Sequence, residues 1–250
     1  MKRYLIFAYG LVCYAAFLAS FLYAIGFVGN LFVPKGIDSA PQLPMVQAAL
    51  INLGLLSIFA IQHSVMARPF FKRWITRYIP ASAERSTFVL FASLALIVLF
   101  RFWQPMGVVI WDIESAAGRI AMLTGFVFGW SLVLVTTFLI NHFDLFGLRQ
   151  VWLQLRRKPY TPVDFAMPLP YRMIRHPLYF GFLCAFWFTP TMTVAHLVFA
   201  VVTTAYILVA IRFEEHDLQE VHPEYREYRK QVPMILPAFP RPVARKPARA

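Results

Sequence analysis

The chain has 250 residues, of which 59% are hydrophobic and only 14% charged, with a mean hydropathy of +0.59. Soluble globular chains are about 45–50% apolar and about 25% charged, so the composition excludes a disordered chain, a collagen-like chain and an ordinary cytosolic enzyme. The net charge of +12 and the pI near 10 raise the question of nucleic acid, but the basic residues stand between apolar stretches. No nucleic-acid partner is expected.

Charge-free stretches run from Tyr4 to Pro34, Ser39 to Ala67, Ser86 to Phe100, Ile120 to Phe143 and His176 to Ile211. A helix that crosses a bilayer needs about 20 mostly apolar residues, so each of these predicts a membrane span. The first is too long, and too aromatic at its end, for a cleaved signal peptide, and is read as the first span. Cys13 and Cys184 lie inside apolar stretches, with neither a disulfide framework nor a zinc motif, and read as packing residues. No metal is expected.

The basic residues set the expected orientation. Two precede the first span, and clusters follow the second, the fourth and the fifth. Together these hold 21 of the 24 lysines and arginines, against Lys35, Arg101 and Arg119 in the other loops. The positive-inside rule then puts both termini on the cytosolic side, here of a bacterial cytoplasmic membrane, with anionic membrane lipid as the surface partner. The last apolar stretch would make a helix of roughly 54 Å at about 1.5 Å per residue, against a hydrocarbon core of about 30 Å. Pro190 near its middle breaks or bends it, giving either a helical hairpin or one tilted crossing. Two cytosolic termini need an even number of crossings, which selects the hairpin. The expected fold is an all-α polytopic membrane bundle of four long helices and a C-terminal, proline-broken helical hairpin, five to six spans in all. Residues 1–143 form the four-helix region, 144–237 the region with the hairpin, and 238–250 a disordered basic tail.

The chemistry-bearing residues concentrate at the hairpin. Tyr171-Arg-Met-Ile-Arg-His-Pro-Leu-Tyr-Phe-Gly181 enters it, with Pro177 suited to a first helical turn and Gly181 leaving room for close backbone approach. Arg212-Phe-Glu-Glu-His-Asp-Leu218 leaves it. Two carboxylates at a helix C-terminus oppose the helix dipole, so either the helix runs on outward or a cationic ligand offsets them. A hairpin brings His176 and the pair Glu214 and Glu215 to one membrane face. From the chemistry alone, a ligand site and a helix start dressed with interfacial anchors both remain open.

The order Arg-His-Pro-x-Tyr-x-Gly, membrane stretch, Glu-Glu and then Tyr225-x-x-Tyr228-x-x-x-Val232-Pro233 resembles the isoprenylcysteine carboxyl methyltransferase superfamily over about residues 167–237. That resemblance implies a membrane enzyme that binds S-adenosylmethionine in a cytosol-facing pocket. It implies cofactor roles for His176, Tyr179, Glu214 and Glu215, and a further one for Tyr171 in the loop before the Arg-His-Pro element. The chemistry of the cofactor fits such a set. Carboxylates take its ammonium or ribose hydroxyls, aromatic faces hold the sulfonium, and Arg175 with His176 can face its carboxylate. No Gly-x-Gly-x-x-Gly and no strand pattern exists, which excludes a soluble Rossmann-type methyltransferase.

From Glu214 to Glu224 there is no lysine or arginine, which disfavours an acceptor carboxylate. Gln62-His-Ser-Val-Met-Ala-Arg68 and Asn141-His-Phe-Asp-Leu-Phe-Gly-Leu-Arg-Gln150 close the second and fourth spans on the same side. Both resemble the methanethiol S-methyltransferase branch of the superfamily, and the first element also resembles a denitrification-associated membrane family. The implied reaction converts a small thiol, methanethiol, to dimethyl sulfide. The nucleophile is a thiolate, and even a cysteine thiol has a pKa of about 8.5, so a base is wanted. His142, Asp144 and His63 are the candidates, with His142 and Asp144 as an orienting pair. Two further readings stand beside this one: a membrane methyltransferase for a lipid or isoprenoid-linked acceptor, and a haem- or quinone-binding protein using His63, His142 and His196. The opposed placement of His63 and His196 disfavours axial haem ligation, and the absence of a repeat disfavours a transporter.

Overall fold

The computed structural model describes residues 1–162, 168–221 and 224–236. The basic tail expected from residue 238 lies outside the described residues.

Four long apolar helices come first: α1 (Lys2–Gly29), α2 (Met45–Ala67), α4 (Ala81–Phe102) and α5 (Ala116–Ile140), with the short α3 (Pro69–Ile75) between the second and third. Two short helices, α6 (His142–Leu145) and α7 (Leu148–Leu155), follow α5, and α8 (Leu169–Met173) precedes the hairpin. The hairpin itself is α9 (Pro177–Trp187) and α10 (Val194–Val221), and α11 (Tyr225–Gln231) folds back after it. Among the described residues five helices are long and apolar enough to cross a membrane, and α9 is a shorter apolar helix. The chain is an all-α polytopic membrane bundle, as its composition requires.

The break falls at Pro190, but the arms are unequal. The first arm has 11 residues, whereas α10 has 28 and runs past the last apolar turn. A short strand, β2 (Thr191–Thr193), occupies the hairpin tip and pairs antiparallel with β1 (Val109–Asp112) from the α4–α5 loop. These strands correct the expectation of none. Their reason is physical: a chain reversal among apolar helices leaves backbone N–H and C=O groups that lipid cannot satisfy, and the ladder satisfies them. Val194 N–H donates to the Val108 carbonyl at 2.8 Å and Ile113 N–H to that of Pro190 at 3.0 Å.

At that same face, buried Asn52 closes the end of α4 with both amide atoms, donating to the Gln104 carbonyl at 2.7 Å and accepting from its N–H at 2.8 Å. His196 lies beside Asp38 at 3.4 Å and the Phe186 carbonyl at 2.9 Å. Its ring ties the loop after α1 to the hairpin, far from the helix ends that carry His63 and His142.

The first arm of the hairpin lies closely on α5. A Cβ on Gly129 would stand 2.6 Å from the Gly181 carbonyl, and one on Gly181 2.8 Å from that of Gly129. Small residues on both sides let the backbones approach, a common device where lipid supplies no hydrophobic drive. This contact fixes where α9 starts, and so where His176 stands.

Candidate functional site at one membrane face

His176 caps the start of α9 at the membrane face where α10 emerges. Its backbone and that of Arg175 are held by the segment after α11: Arg175 N–H donates to the Pro233 carbonyl at 2.9 Å and His176 N–H to that of Met234 at 3.1 Å. The Val-Pro element therefore acts as a strap over the Arg-His-Pro element.

The two carboxylates at the end of the hairpin have different surroundings. Glu215 is buried, and Arg175 Nε donates to its Oε1 at 2.7 Å. His176 Nε2 lies 3.1 Å from the same oxygen, and the Tyr225 hydroxyl donates to it at 3.5 Å. Arg229 Nε reaches the other oxygen at 3.2 Å. Glu214 is 46% exposed, 3.8 Å from His176 Nδ1, and takes the Tyr179 hydroxyl. One acid is thus an internal hub, and the other faces outward with an imidazole and a phenol beside it. The helix-dipole conflict is resolved because α10 continues to Val221 and two guanidinium groups meet Glu215.

Arg175 is an internal anchor. Its guanidinium engages Glu215 and the carbonyls of Arg229 and Val232. The cations missing from the sequence between Glu214 and Glu224 are therefore supplied in space by Arg175 and Arg229. Tyr171 stands near Glu214; burial, reinforced by that charge, pushes its phenol well above the ordinary range. Tyr225 is likewise pushed up by burial and then by the Glu215 charge. Burial, set against the Arg175 charge, leaves Tyr228 at about 12, and its hydroxyl donates to the Tyr171 carbonyl. All three phenols are neutral hydrogen-bond donors.

Residues the sequence did not single out connect this cluster to α2. Tyr206 lies two turns before Glu214 on α10. Its hydroxyl is 3.3 Å from that of Ser64, next to His63. Arg68 then bridges to Asp217 at 3.3 Å. A tyrosine eight residues before the acid pair is the one sequence signal for this link, since eight residues are close to two helical turns.

His63 stacks on Phe59 at 5.3 Å and leans on Phe88 at 4.9 Å, and its buried Nδ1 has no hydrogen-bond partner among the described residues. His142 is differently placed. Its Nε2 lies 2.8 Å from the Tyr14 hydroxyl and its Nδ1 2.8 Å from that of Thr137, while Phe138 stacks flat on the ring at 4.2 Å. Burial pushes its pKa below the ordinary histidine value. Asp144 accepts from Arg149 at 2.8 Å and from the Tyr160 hydroxyl at 3.2 Å. The structure does not bring His142 and Asp144 together as a pair, because residues two apart on a helical turn point to different sides. Gly147, at φ 85 and tight against Ser86, lets the chain turn so that Arg149 folds back onto Asp144.

A membrane-spanning bundle with a polar cluster at one face, built on a strapped C-terminal hairpin, defines an integral membrane protein with a site at the membrane surface. The chain is 56% identical over 238 residues to the methanethiol S-methyltransferase of Crocosphaera subtropica, covering 95% of this chain and 93% of that one. It is 55% identical to the methanethiol S-methyltransferase of Mycobacterium tuberculosis, covering 95% and 98%. A more distant relative, nurim of Bos taurus, is 31% identical over 73% of this chain and 71% of its own. No protein-family model matches the chain, and no solved structure matches it significantly. The chain belongs to the methanethiol S-methyltransferase family.

Proposed function

We propose that the chain transfers a methyl group from S-adenosylmethionine to methanethiol, giving dimethyl sulfide and S-adenosylhomocysteine. The observation that carries the reading is kinship at 55–56% identity over 95% of the chain with relatives of that name. The donor set at the face fits the cofactor. Glu214 offers an outward carboxylate to an ammonium or to ribose hydroxyls, and Tyr179 and Tyr171 offer aromatic faces to a sulfonium. When bound, S-adenosylmethionine supplies an electrophilic methyl group.

The protein's own part is positioning and proton transfer. Glu215, Arg175 and the strap hold His176 and Glu214 in place. The bound cofactor would supply its methyl group to the acceptor sulfur and would leave as S-adenosylhomocysteine, and the thiol proton would pass to a group of this chain. Of the three acid–base candidates, His63 has a ring nitrogen without a partner among the described residues and adjoins the Ser64–Tyr206 link. That supports His63 as the group that takes the proton, with Phe59 and Phe88 as apolar walls for a small substrate. His142 and Asp144 then hold the corner between α5 and α7.

Incubating the purified protein with methyl-labelled S-adenosylmethionine and, separately, methanethiol, larger thiols and lipid extract tests the proposal. Label should appear in volatile dimethyl sulfide. Label confined to the lipid extract would overturn the acceptor and favour the lipid-linked alternative.

The face with the site is proposed to be cytosolic, in a bacterial cytoplasmic membrane, because among the described residues 17 of the 20 lysines and arginines belong to segments on that face. A cysteine placed near Arg157 should be protected from an impermeant thiol reagent in sealed right-side-out vesicles. Labelling from outside would invert the orientation.

A further inference from the structure

A second polar feature lies at the same face, between the short helices α3 and α7 and the first turns of α4. A cavity of about 530 Å³ is framed by Lys72 of α3, Ser82 and Arg85 at the start of α4, Gln150 of α7, and Lys158 with Tyr160 beyond it. Lys72, Arg85 and Lys158 have no ion pair among the described residues. Arg85 donates only through Nε, to the Leu145 carbonyl at 2.7 Å, which leaves both Nη groups available, and Phe88 covers one side of the guanidinium at 5.0 Å. Of the two acids in the wall, Asp144 is paired with Arg149, and it and Glu84 both act on Arg85, so three cations of the wall face two carboxylates.

The polar atoms of the wall point the same way. Ser82 Oγ and Gln150 Oε1 are buried and have no hydrogen-bond partner among the described residues, although buried polar groups are nearly always satisfied. Ser82 stands in the first turn of the 22-residue α4, whose N-cap Pro80 provides no side-chain acceptor. The Ala83 N–H is taken by the Pro80 carbonyl at 2.8 Å, and the N–H groups left at the start of that turn favour an anion. Gln150 Nε2 is already engaged with the Asp144 carbonyl at 3.0 Å, so its Oε1 is left to accept from a hydroxyl.

We propose that this cavity binds a phosphate-bearing anion whose phosphate meets Arg85, Lys72, Lys158 and the Ser82 hydroxyl, with a neighbouring hydroxyl donating to Gln150 Oε1. Two sources carry that chemistry: the glycerophosphate headgroup of an anionic lipid, and free phosphate. Size and place favour the headgroup. Small-molecule sites run to roughly 300–1,000 Å³, far more than one inorganic phosphate fills. The wall also includes Ile140, 42% exposed at the end of membrane-spanning α5, where acyl chains would run.

The test is a calorimetric titration of the purified full-length protein in detergent. The probes are dihexanoyl phosphatidylglycerol, dihexanoyl phosphatidylcholine and inorganic phosphate. Phosphatidylglycerol should bind at least about tenfold more tightly than phosphatidylcholine. Replacing Lys72→Gln and Lys158→Gln together should weaken it by about tenfold or more. The double change Arg156→Gln and Arg157→Gln removes the same charge outside the cavity and should alter affinity by less than about threefold. Competition by inorganic phosphate at comparable concentration would identify free phosphate as the ligand; its failure to compete would identify the headgroup. Equal affinity for the two lipids, or equal losses in the two double variants, would overturn the site.

Discussion

Glu215→Ala should cost the protein both its activity and about 3–5 kcal/mol of stability, the range seen when one partner is removed from a buried ion pair. The carboxylate lies between Arg175, His176, Arg229 and the Tyr225 hydroxyl, with its side chain only 3% exposed. Its loss leaves the Arg175 guanidinium buried without a counter-charge and frees α11 from α10. Thermal unfolding in detergent should show a clear fall in melting temperature, and cofactor binding should fall with it. Glu215→Gln keeps the size and one acceptor oxygen and should lie between the two. An alanine variant that melts with the wild type would remove Glu215 from the role of hub.

His63→Gln should act on turnover and leave the fold and cofactor affinity unchanged. A positioned base is worth about 10²–10⁴-fold, so turnover with methanethiol should fall by at least about 10²-fold at neutral pH. The pH dependence distinguishes a base from a packing residue. Raising the pH increases the thiolate fraction in solution, and this helps the variant without a base more than the wild type. The ratio of wild-type to variant turnover should therefore shrink as pH rises. A constant ratio at every pH would leave His63 a wall of the pocket. In the same assay Asp144→Asn should show no recovery at high pH, since its carboxylate serves Arg149 and Tyr160.

Much of the fold was legible from spacing. The length of the last apolar stretch and Pro190 predict a hairpin, and the hairpin places His176 beside the acid pair. What sequence left open was which acid faces outward. That depends on α11 folding back to bring Arg229 and Tyr225 onto Glu215, a contact between two helices that no helical period encodes. The His142–Asp144 pair was suggested by proximity in sequence, yet each side chain found a stronger partner from another element. Tyr14 comes from α1, and Arg149 from beyond the Gly147 turn. The strands at the hairpin tip escaped notice because three or four residues carry too little pattern to register against long apolar helices.

The division of labour within the acid pair is the central claim about the site, and one titration tests it. Calorimetric binding of S-adenosylhomocysteine should weaken by about tenfold or more in Glu214→Gln, the loss of one charge-assisted hydrogen bond, while the melting temperature of the ligand-free protein stays where it was. Unchanged affinity in Glu214→Gln would contradict the assignment of the outward carboxylate to the cofactor.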